Sequence, residues 1–220
     1  MAMTNLETTL EPQQERSRRT LENLLSATIR TLHESGLEGA TIPRIAAAAG
    51  VSPATVYRRF KDKKDLLRAA FMHMLEASQA HNRMHLAKGL SRPTLEQTAR
   101  RFIEVNFAQF RNNGQLLGAL KQFMEADGES KFRKAARSIT EGNLQMIFEV
   151  MLTHRKEIAH ENPERAIRIA VLTATNAIET NFFKPNTAWR TLQPITDEEL
   201  QEELTRAFVA YLKSEDRSHD

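Results

Sequence analysis

The chain has 220 residues, of which 40% are hydrophobic and 27% charged, so it can form one large domain or two small ones around a buried core. Cysteine is absent, no apolar run approaches the roughly 20 residues of a membrane-spanning helix, and the N-terminus lacks the basic and apolar segments of a signal peptide. These features predict a soluble, cytoplasmic protein without a membrane partner.

Positive charge is concentrated near the N-terminus, although the net charge of the whole chain is only +3. Residues 16–68 carry eleven Lys or Arg residues against five Asp or Glu residues, whereas residues 69–220 carry twenty of each sign. Residues 1–15 add three negative charges. The N-terminal quarter is therefore the part of the chain that would attract a polyanion.

Helical periodicity dominates the sequence, and the absence of alternating strand patterns and internal repeats predicts an all-α fold. A first helix is expected to begin near Arg16 and to stop at Gly36. Thr41 is expected to cap a short second helix, in which an early Pro43 is tolerated because first-turn amides have no helical partner. Gly50 can supply the left-handed conformation that ends this helix.

A third helix is predicted immediately afterwards, because Ser52 and Pro53 combine an N-cap with a proline at the first helical position. Only about three residues separate it from the second helix, which indicates a helix-turn-helix. The alanine run 46–49 allows the two helices to cross closely. The outward face of the third helix offers groups suited to phosphates and base edges in a major groove: Thr55, Tyr57, Arg58 and Arg59. The alternative interpretation is a solvated basic surface helix.

The flanks of this motif are also basic. Residues 1–15 are expected to be a disordered arm, and three arginines after it could reach the DNA backbone or minor groove: Arg16, Arg18 and Arg19. A fourth helix is expected to run from Asp62, as its cap with Asp65 in the first turn, into the high eighties. Lys63 would lie near amides that could help to hold a phosphate.

The segment TIPRIAAAAGVSPATVYRRFKDKKDLLRAAF resembles the DNA-binding segment of the TetR family of transcriptional regulators. The resemblance covers residues 16–71, and it implies operator contacts from Thr41, Ser52, Ala54, Thr55, Tyr57, Arg59 and Lys63. Many family members have an aromatic residue or histidine where this chain has Arg58 and Arg59. Two guanidinium groups there suggest either guanine contacts or further phosphate contacts.

Beyond residue 72 further helices are predicted between breaks at four places: residues 91–93, 111–114, 126–130 and the loop 184–194. Thr94–Gln97 is a capping-box pattern, Asn162 with Pro163 starts a penultimate helix, and Thr196–Glu199 caps the last one. The tail 214–220 is expected to be frayed.

The last two helices alternate small and branched residues, a pattern that favours close helix packing. Members of the family dimerise by pairing these two helices into a four-helix bundle, so the resemblance implies a homodimer. The candidate interface residues are Ala170, Ala174, Ala177, Ile178, Leu204 and Phe208. The alternative is that these residues form only an intramolecular core.

The central helices are rich in Phe and Met. In the family this region surrounds a small-molecule pocket, and these side chains would suit an apolar or aromatic effector. The candidate lining residues are Phe102, Phe107, Phe110, Met124, Phe148 and Met151. The alternative is that each of them belongs to the core.

No catalytic or cofactor-binding signature is present. His81 and His85 have the spacing of two metal ligands on one helix face, but no third ligand is evident, so no metal is expected. A Gly-rich phosphate loop, a nucleophile elbow and zinc-finger spacing are all absent. We therefore expect neither an enzyme nor a cofactor.

The combined prediction is a helix-turn-helix DNA-binding domain over residues 16–61, with its motif at about 41–60, and a helical effector-binding and dimerisation domain over 62–213. The protein would be a ligand-responsive repressor that binds a palindromic operator as a homodimer. The alternatives are an activator, a ligand-independent DNA-binding factor, or a small-molecule binding protein with a vestigial helix-turn-helix.

Overall fold

A computed structural model describes residues 4–128, 130–183, 192 and 194–215, with the backbone alone for residues 4–13. Every regular element in these residues is helical, which confirms the all-α fold. None of the described helices is both long enough and apolar enough to cross a membrane. Most of the predicted loop 184–194 and most of the tail 214–220 lie outside the described residues.

Eight α-helices and one short 3₁₀ turn follow one another along the described chain. They are α1 (Thr4–Gly39), α2 (Ile42–Ala48), α3 (Pro53–Tyr57), α4 (Lys63–Leu90), α5 (Leu95–Ala126), α6 (Lys131–Leu152), the 3₁₀ turn (Arg155–Glu157), α7 (Pro163–Phe183) and α8 (Asp197–Lys213).

Helix α1 begins at Thr4, well before the predicted start near Arg16, so residues 4–15 are helical where a disordered arm was expected. The segment is rich in Leu, Glu and Gln, which favour helix. Its last carboxylate, on Glu15, pairs with Arg18 at 3.0 Å and with Arg19 at 3.4 Å, one turn further along.

Two of the predicted breaks are interruptions within a helix. Gly36 has left-handed backbone angles (φ 64°), so the regular part of α1 stops there as expected, although helical turns continue to Gly39. The predicted break at 111–114 is a single non-helical residue, Asn113 (φ −125°, ψ 15°), inside α5. The helix resumes after it because apolar residues from Leu116 onwards are buried again.

Most of the predicted helix caps are present. The Thr196 side chain accepts from the amide of Glu199, whose carboxylate accepts from the amide of Thr196, a complete capping box. The Asn162 side chain accepts from the amide of Arg165 at 3.0 Å. The sequence signals that mark helix starts are therefore reliable in this chain, since each needs only residues within one turn.

The chain divides into two compact units at different places from the predicted boundary at residues 61 and 62. The N-terminal unit comprises Met1–Glu76 and Gln115–Lys134, and the C-terminal unit comprises Ala77–Gly114 and Ala135–Asp220. The C-terminal end of α5 and the start of α6 thus belong to the same unit as the helix-turn-helix. An aromatic cluster accounts for this, because ring centroids of Phe71 on α4 lie 5.3 Å from Phe123 on α5 and 6.4 Å from Phe132 on α6.

The C-terminal unit has its own core, formed by α7, α8, the first part of α5 and the end of α6. The rings of Phe102 on α5 and Phe208 on α8 lie 6.0 Å apart at its centre. Helix α7 contributes one buried stripe: Ala166, Ile167, Ala170, Val171, Ala174 and Ile178. This spacing of three and four residues places the stripe on one face of the helix.

Candidate DNA-binding surface

The turn between α2 and α3 has the predicted geometry. Gly50 adopts a left-handed conformation (φ 67°), which an L-residue with a side chain rarely adopts. The Ser52 hydroxyl then accepts from the amide of Thr55 at 3.3 Å and lies 3.0 Å from the Thr55 hydroxyl. With Pro53 as its first residue, α3 begins directly after the turn.

The contact between α2 and α3 uses one alanine of the run rather than all four. Ala46 and Val56 are completely buried, whereas Ala47 and Ala48 are exposed. Helix α1 also holds this motif, because the Arg30 guanidinium donates to the carbonyl oxygen of Ala48 at 2.8 Å. The motif is therefore fixed from two sides, and the face of α3 opposite Val56 stays open.

The exposed face of α3 carries the predicted recognition residues. Ala54, Tyr57 and Arg58 are exposed, and the Tyr57 side chain is 58% accessible. Arg58 caps the C-terminus of the helix, and its guanidinium lies at the long distance of 3.5 Å from the Thr55 hydroxyl. A large aromatic ring and a loosely held cation on so short a helix are available to an external partner.

Arg59 is placed differently from Thr55 and Tyr57. Its guanidinium donates to the Ser17 hydroxyl of α1 at 3.0 Å. Arg59 therefore lies between the end of the recognition helix and α1, although its side chain is still exposed. Sequence reasoning missed Ser17, because no local spacing connects it with a residue so far along the chain.

Lys63 and Thr41, both predicted to contact operator DNA, differ in whether their side chains already make a hydrogen bond. The Lys63 ammonium is half-buried and donates to the carbonyl oxygen of Leu37 at 3.0 Å, which leaves two of its three protons for other acceptors. Thr41 occupies the N-cap of α2, but its hydroxyl makes no capping bond there. Because Thr41 is exposed, this hydroxyl can meet a phosphate oxygen.

The start of α4 is capped as predicted. The Asp62 side chain accepts from the amide of Asp65 at 2.8 Å, and the carboxylate of Asp65 accepts from the amide of Lys61 at 3.3 Å. These two bonds connect the end of the helix-turn-helix to the first turn of α4, and Lys63 stands between them.

A buried carboxylate that sequence reasoning missed lies behind this surface. The Asp127 side chain is fully buried and meets the Lys64 ammonium at 2.9 Å and the Arg68 guanidinium at 2.7 Å. It also accepts from the Ser130 hydroxyl. The hydrogen bond from Arg68, together with those from Ser130 and Lys64, holds the pKa of the Asp127 carboxyl well below its usual range. The only hint in the sequence is two cations four residues apart on α4, which can share one partner.

The predicted effector residues do not form one group. Phe102, Phe107 and Met151 are buried in the core of the C-terminal unit, and Phe110 and Phe148 are partly buried against it. Met124 instead belongs to the N-terminal unit, because α5 passes from one unit into the other between residues 114 and 115. Met124 therefore does not share a core with the other five, and the role of all six stays a prediction.

The surface of α7 and α8 contains an apolar groove of about 240 Å³, lined by Ile169, Ala170, Thr173, Ala174, Leu204, Ala207, Phe208 and Tyr211. Four predicted interface residues are among them. Of the other two, Ile178 is fully buried within its own chain and Ala177 is half-buried. Ile169 and Leu172 are 40% and 61% exposed, and the prediction omitted both. The sequence did contain a signal for Ile169 and Leu172, because they give α7 a second apolar face besides its buried stripe. A helix with two apolar faces is expected to have two packing partners.

The rings of His81 and His85 lie 4.6 Å apart on α4. Within the part of the chain that the structure describes, no group of three or more His, Cys, Asp or Glu residues has the arrangement of a metal site.

Comparison with known proteins agrees with the helix-turn-helix. The family model of bacterial regulatory proteins of the TetR family matches residues 24–70. The HTH-type transcriptional regulator Rv1556 of Mycobacterium tuberculosis is 47% identical over 49 residues, which are 22% of this chain and 24% of that protein. The chain thus spans about a quarter of the length of the first curated relatives that it matches. The HTH-type transcriptional regulator BetI of Paraburkholderia phymatum is 29% identical over 147 residues, 67% of this chain and 71% of that protein.

Solved structures of similar fold align with most of the chain. A TetR family transcription regulator from Marinobacter aquaeolei VT8 has a TM-score of 0.56 at 17% identity and covers 90% of this chain and 98% of its own. The transcriptional regulator FadR from Bacillus subtilis, in complex with stearoyl-CoA, has a TM-score of 0.57 at 18% identity, covering 88% and 97%. At these identities the likeness shows the fold alone. Residues 24–70 thus match the helix-turn-helix of the TetR family, and the chain has the fold of TetR family structures, with an N-terminal helix-turn-helix and a helical C-terminal domain.

Proposed function

We propose that this protein is a cytoplasmic, ligand-responsive transcriptional repressor that binds a palindromic operator as a homodimer. The observation that carries the proposal is the exposed face of α3, where Tyr57 is 58% accessible beside the loosely held Arg58. The helix is only five residues long and is fixed by its Ser52 cap and by the buried Val56. Because the helix is already ordered, binding a partner through its side chains costs little conformational entropy.

In this proposal the N-terminal end of α3 enters the major groove. Ala54 and Thr55 can contact base edges or a thymine methyl, and Arg58 has the fork geometry that pairs with guanine. Thr41 and Lys63 supply contacts to phosphates, which position the helix without reading sequence. Arg59 donates to Ser17 at 3.0 Å, and with its remaining donors it can contact a phosphate close to α1.

The proposed dimer uses the exposed side of α7. Ile169 lines the apolar groove whose other wall is α8, and the exposed Leu172 lies about one turn further along α7. Exposed apolar residues of this kind suit a second copy of the same surface. A two-fold axis makes the same residues meet from both chains. Two recognition helices related by that axis would require an operator with matching two-fold symmetry.

The proposed effector site is the interior of the C-terminal unit, among Phe102, Phe107, Phe110, Phe148 and Met151. Their apolar and aromatic surfaces suit an apolar or aromatic effector. The FadR structure with stearoyl-CoA makes acyl-CoA one class to screen. Because α4, α5 and α6 each run through both units, a ligand that prefers one conformation of these helices would shift the population that binds DNA.

A gel-shift assay with DNA upstream of the protein's own gene tests the proposal. We expect a specific shift that survives competitor DNA and is released by an effector found in a metabolite screen. A shift that no ligand releases would favour a ligand-independent factor, and ligand binding without a shift would favour a vestigial helix-turn-helix. A reporter gene that falls silent only when the protein is present distinguishes a repressor from an activator.

A further inference from the structure

The N-terminal unit contains one carboxylate that connects three of its helical segments. Asp127 follows α5, Lys64 and Arg68 lie on the first two turns of α4, and Ser130 immediately precedes α6. The Ser130 hydroxyl also accepts from the amide of Arg133 at 3.1 Å and so caps α6. We propose that Asp127 is a positioning residue for operator binding, an inference that rests on the proposed DNA-binding function.

The contacts of α4 show how Asp127 can affect the recognition surface. The first turn of α4 is connected to the helix-turn-helix by the bonds of Asp62 and Asp65, and to the end of α1 by Lys63. Lys64 and Arg68 follow on the same face of the same helix, one turn apart. Whatever fixes Lys64 and Arg68 therefore also fixes the segment from which Lys63 projects.

The same three helical segments are already in apolar contact through Phe71, Phe123 and Phe132. Apolar contact is non-directional, so these rings can remain buried while the helices slide or rotate slightly. The guanidinium of Arg68 instead donates to Asp127 from both Nε and Nη2, at 3.2 Å and 2.7 Å. Such a two-point bond fixes orientation as well as distance. Asp127 thus fixes the relative orientation of these helical segments, which the aromatic cluster alone does not.

A neutral side chain at this position would change the start of α4. Lys64 and Arg68 would lose the buried carboxylate that both of them contact, near a helix N-terminus where the helix dipole already disfavours cations. A looser first turn would move Lys63 and the adjoining recognition helix out of register with an operator. Sequence-specific contacts depend on that register, whereas non-specific attraction to phosphates depends mainly on charge.

The test uses the full-length protein and two DNA duplexes of equal length, one selected by the wild-type protein from random DNA and one scrambled. For Asp127→Asn we expect operator affinity to fall by about tenfold or more, with affinity for the scrambled duplex changed by less than about threefold. Glu125→Gln is the matched control, because it removes an exposed carboxylate two residues earlier. It should leave both affinities unchanged.

A double-mutant cycle with Arg68→Met shows whether Asp127 acts through Arg68. In that case the double variant binds the operator no more weakly than the weaker single variant. If Asp127→Asn does not fold by circular dichroism, Lys64→Met and Ser130→Ala carry the test, and each should selectively weaken operator binding.

Operator affinity within about twofold of wild type, or a parallel loss on both duplexes, overturns the inference. A wild-type protein that selects no sequence at all contradicts the proposed function instead.

Discussion

The two units of this protein differ in how far apart along the chain their functional residues lie. In the helix-turn-helix, Gly50, Ser52 and Arg58 lie within nine positions and act through the backbone next to them. In the C-terminal unit, Phe102 on α5 packs on Phe208 on α8, which lies far from it along the chain. Local chemistry therefore specifies the proposed DNA-binding surface, whereas the proposed pocket and dimer surface depend on tertiary packing.

The largest expected effect tests the C-terminal side of this comparison. Leu172→Glu places a charge on the exposed side of α7, which should weaken the dimer by about 3–5 kcal/mol without unfolding the chain, because burial of an unpaired charge is costly only in the interface. Sedimentation equilibrium measures the dimer. Met84→Glu is the matched control, since Met84 on α4 is 70% exposed. A wild-type protein that is monomeric at micromolar concentration would rule out the interface.

The next effect concerns the locally encoded surface. Arg58→Ala should cost about 1–3 kcal/mol of operator affinity and relax the preference at one operator position, as loss of a bidentate base contact does. Selection of bound sites from random DNA with both proteins measures this. An unchanged base preference at every position would show that Arg58 contacts only phosphate.

A smaller effect probes the long-range contact inside the N-terminal unit. Because the pKa of Asp127 is lowered in the folded state, its contribution to stability is present above about pH 4 and is lost as the pH falls further. Lys64 and Arg68 are partly exposed, so solvent screens their attraction to Asp127. We therefore expect a contribution on the order of 1 kcal/mol. Urea unfolding of wild type and Asp127→Asn at pH 7 and below pH 4 measures it. The difference between the two proteins should shrink in acid, and a constant difference would contradict the assignment.

The smallest effect distinguishes a contact to phosphate, which positions the protein on DNA, from a contact that reads the base sequence. Lys63→Ala should weaken operator and scrambled DNA alike, by about 1 kcal/mol or less, and should reduce the salt slope of binding by about one. Fluorescence anisotropy at several salt concentrations measures both. A selective loss on the operator would mean that Lys63 acts through its bond to Leu37, by supporting the motif, rather than on a phosphate.

Most of the helix-turn-helix could be predicted from the sequence because each of its signals lies within a few residues. The Ser52 cap, the left-handed Gly50 and the Asp62 cap all depend on local backbone chemistry. Ser17 and Asp127 could not be predicted, because they find partners 42 and 59 residues away along the chain, where periodicity carries no information.

The C-terminal site residues were harder to predict for a different reason. Aromatic content identified a buried region, but it could not separate Met124, which lies in the other unit, from Phe102. The small and branched residues of α7 predict an interface, yet Ala174 and Ile178 are buried within their own chain, whereas Leu172 is exposed. Composition shows that a residue is apolar, and only the packing shows which surface it covers.

The kink at Asn113 has a consequence for the permitted length of α5. Before it, the buried stripe ends with Phe107 in the C-terminal unit, and after it a new stripe begins with Leu116 in the N-terminal unit. In an unbroken helix those two residues would stand about two and a half turns apart, on opposite sides of the axis. One inserted or deleted residue between them would turn the stripe at Leu116 by about 100° around the axis of α5 relative to the stripe at Phe107. The segment RNNG resembles a tolerant surface loop, yet its residue count sets the helical phase between the two buried stripes of α5.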